Sequence, residues 1–136
     1  MKPCLADTGA LVALLDRADL HHAWAVECFK TLAPPLITCE SVLAETLYLL
    51  SDLAPSATAL ARLHTDRILR VDFDFQAQAP AAWRLVEKYM NLPMDLADAC
   101  LVRMSELYSD CLIWTTDRHF RIYRRHGRQA IPLLSP

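Results

Sequence analysis

The chain has 136 residues, of which 54% are hydrophobic and 22% charged, values typical of one globular domain with a full core. The formal net charge of -2 excludes a generally basic nucleic-acid-binding protein, so contact with a polyanion requires a local basic patch or bridging metal ions. Only two glycines occur, which excludes a glycine-rich phosphate-binding loop. No apolar run in the sequence is long enough to span a membrane.

Strands and helices alternate along the predicted chain. Short apolar runs predict strands over residues 3–6, 36–38, 68–73, 111–116 and 130–134. Helical spacing of apolar residues predicts helices over 8–15, 21–32, 40–51, 55–64, 77–90 and 95–108, and a short basic helix over 117–126 that ends at Gly127. This order predicts one α/β domain over residues 1–136, with a central parallel sheet of about five strands covered by helices on both sides.

The five cysteines indicate a reducing environment. They are odd in number, contain no CxxC pair, have no histidine at zinc spacing and lie in apolar stretches. Free cysteine in such a context behaves as a small buried hydrophobe, and unpaired thiols are typical of the cytosol. We therefore expect a cytoplasmic protein that does not associate with membranes.

Asp7 and Asp117 each follow a short apolar run that we expect to form a buried strand. Asp7 comes after the run over 3–6, and Asp117 follows an apolar run whose pattern is that of a strand buried on both faces. Carboxyl ends of parallel strands share one edge of the sheet, where ligands bind in open α/β folds. Each aspartate also suits the N-cap of the helix that follows it, so position alone leaves both roles open.

Two predicted helices carry further acids. Glu45 stands among apolar residues, where a carboxylate must either face water or find a partner. Asp95 and Asp98 lie one turn apart on the same helix face, and Asp95 suits the N-cap. Asp98 is flanked by alanines, which leave room for a ligand. We expect these acids to converge with those at the strand ends.

A converged set of four or five carboxylates implies a specific chemistry. Such a cluster repels itself and raises its own pKa values unless cations neutralise it. Mg²⁺ and Mn²⁺ are hard ions that prefer oxygen ligands. The sequence therefore predicts metal-assisted hydrolysis, a chemistry often applied to phosphodiesters.

The acidic segments resemble, in order and spacing, the four motifs of PIN domains. The segments are residues 5–16, 41–45, 92–102 and 115–120, and the similarity runs from residue 5 to about residue 134. The resemblance implies a three-layer α/β/α fold and an endoribonuclease that cleaves single-stranded RNA with Mg²⁺ or Mn²⁺. The catalytic residues that it implies are Asp7, Glu45, Asp98 and Asp117, with Thr8, Asp95 and Thr116 as auxiliary residues.

Roles within this set follow from the same resemblance. Asp7, Asp98 and Asp117 would hold the metal directly or through water. Glu45 would ligate the ion or position the attacking water, and the threonines would orient carboxylates.

Many PIN domains of this size are VapC-like toxins of type II toxin–antitoxin pairs. The resemblance therefore implies an RNA substrate, a homodimer and a cognate antitoxin protein. The alternative is a catalytically silent PIN-like module that binds RNA or protein. That alternative needs a broken acidic set, and none of the four positions is changed here.

Arginine and histidine are concentrated after Asp117. The pattern suits a patch that contacts phosphates and equally a solvated helix face. Arg118 and His119, next to Asp117, are the best candidates for substrate contact. His21 and His22 have no partner acid at ligand spacing and are interpreted as surface residues at a helix start. The apolar stretch over 47–53 is interpreted as an exposed patch for a partner helix.

Overall fold

The computed structural model describes residues 2–136 and contains one large parallel sheet and a separate hairpin. The strands are β1 Cys4–Ala6, β2 Leu36–Thr38, β3 Leu69–Val71, β4 Leu112–Trp114, β5 Arg124–Arg125, β6 Gln129–Ala130 and β7 Leu133–Leu134. The helices are α1 Thr8–Leu15, α2 His22–Thr31, α3 Glu40–Leu49, α4 Ala54–Thr65, α5 Phe75–Lys88 and α6 Leu96–Leu107, with a 3-10 helix over Arg118–Arg121. The predicted α/β/α fold with about five parallel strands is confirmed.

The strand order places β1 and β4 side by side at the centre. The sheet reads β3-β2-β1-β4-β7, and all its pairings are parallel. From β1 the chain builds outward to β2 and β3, then returns to the other side of β1 as β4. The strand order therefore reverses between β1 and β4, and the crevice beyond the carboxyl ends of such strands is the usual ligand site of an open α/β sheet.

Buried side chains explain why β1 and β4 occupy the centre. Leu5 of β1 pairs with Ile37 on one side and Ile113 on the other, and the sheet buries all three. Trp114 of β4 is fully buried and stacks on Phe29 of α2 at 6.5 Å between ring centroids. The apolar core thus holds the ends of both strands in a defined position.

Aspartate caps begin three of the six α-helices, and Asp117 caps the 3-10 helix by accepting from the His119 N–H. Asp7 accepts a hydrogen bond from the Thr8 backbone N–H at the start of α1, and Asp74 accepts one from Ala77 in α5. Asp95 accepts one from the Asp98 N–H at the start of α6. The capping interpretations of Asp7 and Asp95 are therefore correct, and capping does not remove either side chain from the carboxyl edge of the sheet.

The predicted basic helix over 117–126 is wrong beyond its first turn. The helical segment is a 3-10 helix that ends at Arg121, and β5 pairs with β6 in an antiparallel hairpin. His126 and Gly127 both have positive φ at the turn, a conformation that glycine adopts at no steric cost. The predicted last strand is correspondingly divided, because Ala130 belongs to the hairpin and only Leu133–Leu134 joins the large sheet.

Two further expectations concern cysteines and membranes. All five cysteines are free and buried, as predicted from their apolar context. Among residues 2–136, no helix combines the length and the apolar character needed to cross a bilayer.

Candidate active site

A cavity of about 360 Å³ opens at the carboxyl edge of the sheet, where β1 and β4 end. Its walls bring together every acid singled out in the sequence: Asp7, Glu45, Asp95, Asp98 and Asp117. Thr8, Gly9 and Thr116 line the same cavity, together with Asp19, Leu20 and His21 from the loop before α2. Residues more than a hundred positions apart in the chain thus share one cavity.

Asp7 is held by hydrogen bonds on both oxygens. It follows β1, is 4% exposed, and accepts from the Thr8 N–H at 2.8 Å through Oδ1. Its Oδ2 accepts from the Thr115 hydroxyl at 2.6 Å. The Thr115 Oγ1 in turn accepts from the Asp117 N–H at 2.9 Å. One threonine therefore ties the acid after β1 to the loop after β4.

Asp98 enters the cavity from the first turn of α6. It is 7% exposed, and its Oδ2 accepts from the Tyr123 hydroxyl at 3.1 Å. Tyr123 is itself fully buried and packs edge-on against Tyr89 and Phe120. Because its hydrogen-bond donor is fixed by aromatic packing, the Asp98 carboxylate has a defined orientation.

Glu45 and Asp117 form the more exposed wall. Glu45 projects from α3 and is half-buried, so it does not simply face bulk water. Asp117 accepts from the His119 N–H at 2.9 Å, and His119 Nδ1 lies 3.4 Å from the same carboxylate oxygen. These acids can reach an ion or substrate that enters from solvent.

Gly9 permits the close approach of α1 to the loop after β4. A Cβ atom at this position would overlap the Thr116 hydroxyl. The absence of a side chain therefore lets the start of α1 and Thr116 form adjacent parts of the cavity wall.

Burial and mutual repulsion raise the pKa values of these acids. Desolvation is the largest cause for Asp7, whose pKa rises to about 7 despite the Thr115 hydrogen bond, and the charges of Asp117 and Glu45 add to it. Desolvation and then the Asp95 charge raise the pKa of Asp98 to about 8. Desolvation followed by the Asp95 charge also raises the pKa of Glu45. Neutralisation by a cation would relieve this repulsion.

The donor set suits a hydrated divalent ion. Within residues 2–136, no three histidine, cysteine or acidic side chains form a ready-made metal cluster. Mg²⁺ does not require one, because it retains several waters and is commonly bound through one or two carboxylates. The Thr8 hydroxyl is buried in the wall of this cavity without a hydrogen-bond partner among the described residues.

The structure adds Thr115 to the two threonines that the sequence singled out. The hydroxyl that orients Asp7 belongs to Thr115, which sequence reasoning did not select, whereas Thr8 contributes its backbone N–H. Thr116 lines the cavity beside Gly9.

The basic residues near the C-terminus divide into two groups. The Arg124 guanidinium donates to backbone carbonyls of residues 121–123, and the buried Arg125 donates to the Ser105 carbonyl. Both therefore support the local fold. Arg118, expected to contact substrate, lines a second cavity next to the acidic one, with Arg121 and His21. The surface interpretation of His21 was incomplete, since this half-buried side chain lines both cavities.

Comparisons with known proteins agree with this arrangement. The chain matches the PIN domain family model over residues 4–125. It is 31% identical over 137 aligned residues to Ribonuclease VapC26 of Mycobacterium tuberculosis, an alignment that covers 90% of this chain and 93% of the relative. The crystal structure of Mycobacterium tuberculosis VapC20, a sarcin-ricin loop cleaving toxin, superposes with a TM-score of 0.72 at 20% identity over 81% of this chain and 86% of VapC20.

The family match contains every acid of the cavity, and the relative aligns over nearly its whole length. The resemblance read from the four acidic motifs is therefore confirmed, and the chain belongs to the PIN-domain family.

Proposed function

We propose that this chain is an endoribonuclease that uses Mg²⁺ or Mn²⁺ to cleave single-stranded regions of RNA, as the toxin of a toxin–antitoxin pair. The observation that carries the proposal is one cavity lined by six carboxylates, the five predicted acids and Asp19, which come from five separate segments of the chain. The relation to a protein named as a ribonuclease supports RNA as the substrate. The chain retains all four acids of the family pattern, which argues against a silent binding module.

Each acid has a role that its environment supports. Asp7 and Asp98 are buried and fixed by the hydroxyls of Thr115 and Tyr123, so they suit direct or water-mediated metal binding, and Asp117 completes that set. Glu45 is half-buried and suits either ligation or the positioning of the attacking water. When bound, the metal would activate that water and stabilise charge on the leaving oxygen.

Auxiliary residues would act through these acids. Asp95 caps α6 by accepting from the Asp98 N–H at 2.8 Å, so it positions the backbone that carries Asp98. Thr8 and Thr116 form part of the cavity wall. His119 lies beside Asp117, where it suits contact with a substrate phosphate.

We further propose a cytoplasmic homodimer that a small antitoxin silences. Within the predicted apolar stretch over 47–53, Leu47, Tyr48 and Leu49 are each at least half exposed, whereas Leu50 is fully buried. Exposed apolar residues in such a group are typical of protein contacts. The five buried free thiols suit a reducing compartment.

The proposal is tested with purified protein and end-labelled RNA. Cleavage should require Mg²⁺ or Mn²⁺, should stop with a chelator, and should be lost in Asp7→Asn and Asp98→Asn. Asp66→Asn is the matched control, because Asp66 is exposed and lies outside both the cavity and the apolar stretch over 47–53. Cleavage that persists in the chelator, or full activity in either cavity variant, would refute the assignment. RNA binding without cleavage under every metal condition would instead favour the silent module.

The toxin role needs a separate test in cells. Expression should arrest growth in wild type and not in Asp98→Asn. Co-expression of the product of the adjacent gene should relieve the arrest. Unimpaired growth on expression of active enzyme would contradict the toxin assignment and leave the nuclease assignment intact.

A further inference from the structure

The acidic cavity adjoins a second cavity whose wall carries two arginines beside Asp117. The second cavity has a volume of about 340 Å³ and shares His21, Thr116 and Asp117 with the first. Its remaining wall includes Arg118, Arg121 and Ser135. Two arginines thus face a cavity directly beside a site lined by carboxylates.

We propose that this second cavity is a phosphate subsite for the nucleotide adjacent to the scissile one, with Arg118 and Arg121 as its anion-binding groups. The inference rests on the proposed nuclease function, because it assigns to the same substrate a further point of attachment. A phosphodiester of single-stranded RNA is the ligand that it would take.

The two arginines are available for a ligand. Among the described residues, neither guanidinium takes part in a salt bridge or a side-chain hydrogen bond. In contrast, Arg124 and Arg125 are engaged with backbone carbonyls. Arg118 and Arg121 are both exposed and stand at the two ends of the same 3-10 helix. Arginine is the side chain best suited to paired contacts with phosphate oxygens.

His21 marks the boundary between the cavities. Its backbone N–H donates to the Asp19 carboxylate at 2.9 Å, and its ring packs edge-on against Trp24 with centroids 6.3 Å apart. The half-buried His21 lies in the wall common to both cavities, with its ring next to that of Trp24. A ring N–H at this position can donate to a phosphate that bridges the two sites.

Electrostatics explain why such a subsite is needed. The acid-lined cavity repels RNA until a metal ion neutralises it, whereas the arginines attract the backbone at a point beside it. The substrate would be retained by its neighbouring phosphate while the scissile phosphate enters the acidic cavity. The subsite should therefore govern binding more than the chemical step.

The test measures RNA binding separately from cleavage. The full chain carrying Asp98→Asn, which blocks cleavage, is titrated with fluorescent mixed-sequence single-stranded RNA in Mg²⁺ at several salt concentrations. Adding Arg118→Gln and Arg121→Gln should lower the slope of log K against log salt by about 0.7 for every phosphate that the arginines no longer neutralise. Affinity at physiological salt should fall about tenfold, as expected for charged hydrogen bonds.

The matched control removes the same charge elsewhere. Arg84→Gln with Arg128→Gln changes two exposed arginines that lie outside both cavities, and it should leave the slope and affinity close to the parent values. An unchanged slope in the Arg118/Arg121 variant overturns the proposal. An equal loss in the control pair also overturns it, because the effect would then reflect net charge. The proposal is also overturned if the parent chain, which carries only Asp98→Asn, does not bind RNA.

Cleavage kinetics in the otherwise native chain supply the second readout. The Arg118→Gln/Arg121→Gln variant should raise KM about tenfold with kcat nearly unchanged, which distinguishes a binding subsite from damage to the acidic site. A fall in kcat at constant KM would contradict the subsite. If the native chain cleaves no RNA with any metal, the proposed function fails, while the binding experiment still decides whether the cavity holds a phosphate.

Discussion

Replacement of Asp98 by asparagine should stabilise the metal-free chain at alkaline pH while it abolishes cleavage. The side chain is 7% exposed, and burial together with the charges of Asp95 and Asp7 raises its pKa from the usual 3.8 to about 8. Asparagine has nearly the same shape, stays neutral, and can still accept the Tyr123 hydrogen bond through its side-chain oxygen. The substitution therefore removes the unfavourable free energy of a buried charge, while the packing and the Tyr123 hydrogen bond are retained.

The sign and size of the effect follow from proton linkage. The folded state holds a proton on Asp98 that the unfolded state releases, so the contribution to stability is fully present below about pH 4 and is lost as pH rises through about 8. At about 1.4 kcal/mol for each pH unit between the two pKa values, the loss of stability has an upper bound of roughly 6 kcal/mol. That amount is a large fraction of the total stability of a typical domain.

Urea unfolding followed by circular dichroism, in a chelator, measures this difference. The Asp98→Asn variant should match wild type near pH 4 and exceed it by several kcal/mol near pH 8, and Asp66→Asn should follow wild type throughout. Addition of Mg²⁺ at pH 8 should raise the stability of wild type more than that of the variant. Equal unfolding free energies of variant and wild type at pH 8 would refute the argument from buried charge.

Three other substitutions test single interactions in the cavity. Thr115→Val removes the hydroxyl that holds Asp7, and it should reduce cleavage and lower the free energy of unfolding by about 1–3 kcal/mol. Thr115→Ser should restore both, and a Thr115→Val variant with unchanged cleavage and stability would contradict this role. Gly9→Ala should destabilise the chain by about 1–3 kcal/mol in urea unfolding, because the added Cβ meets the Thr116 hydroxyl. Adding Thr116→Ala should restore the lost stability, and an equal loss in this double variant would exclude the overlap. Tyr123→Phe removes a hydrogen bond that lowers the pKa of the Asp98 carboxylate, so the acid limb of the pH–rate profile should move to higher pH. An unchanged acid limb would show that Asp98 does not control it.

Local pattern was sufficient to predict most elements. Helix α1 and strand β2 have the predicted bounds, since a capping aspartate before α1 and paired prolines before β2 are strong local signals. The segment after Asp117 was predicted incorrectly because its arginines favour a helix locally. Tertiary contacts decide otherwise there: Arg125 donates to the Ser105 carbonyl, and the turn at Gly127 pairs β5 with β6.

The acids themselves could be selected from the sequence, because each stands at a strand end or in an apolar helix, where a buried carboxylate is unfavourable unless it has a partner. The hydroxyl groups that hold these acids in place could not be predicted from the sequence. Thr115 and Tyr123 hydrogen-bond to acids 108 and 25 positions away, respectively, and no local pattern carries that information. The same holds for His21, which sequence reasoning left on the surface and the fold placed between two cavities.

The order of short apolar strands, helices and isolated acids, by itself, determined that this protein has a parallel α/β sheet and acids at its carboxyl edge, because the periods of strands and helices are local properties. Only the tertiary structure decided which hydroxyls hold those acids and which arginines remain available beside them. The physical reason is that hydrogen-bond partners and burial depend on chain segments that meet only after the sheet is assembled.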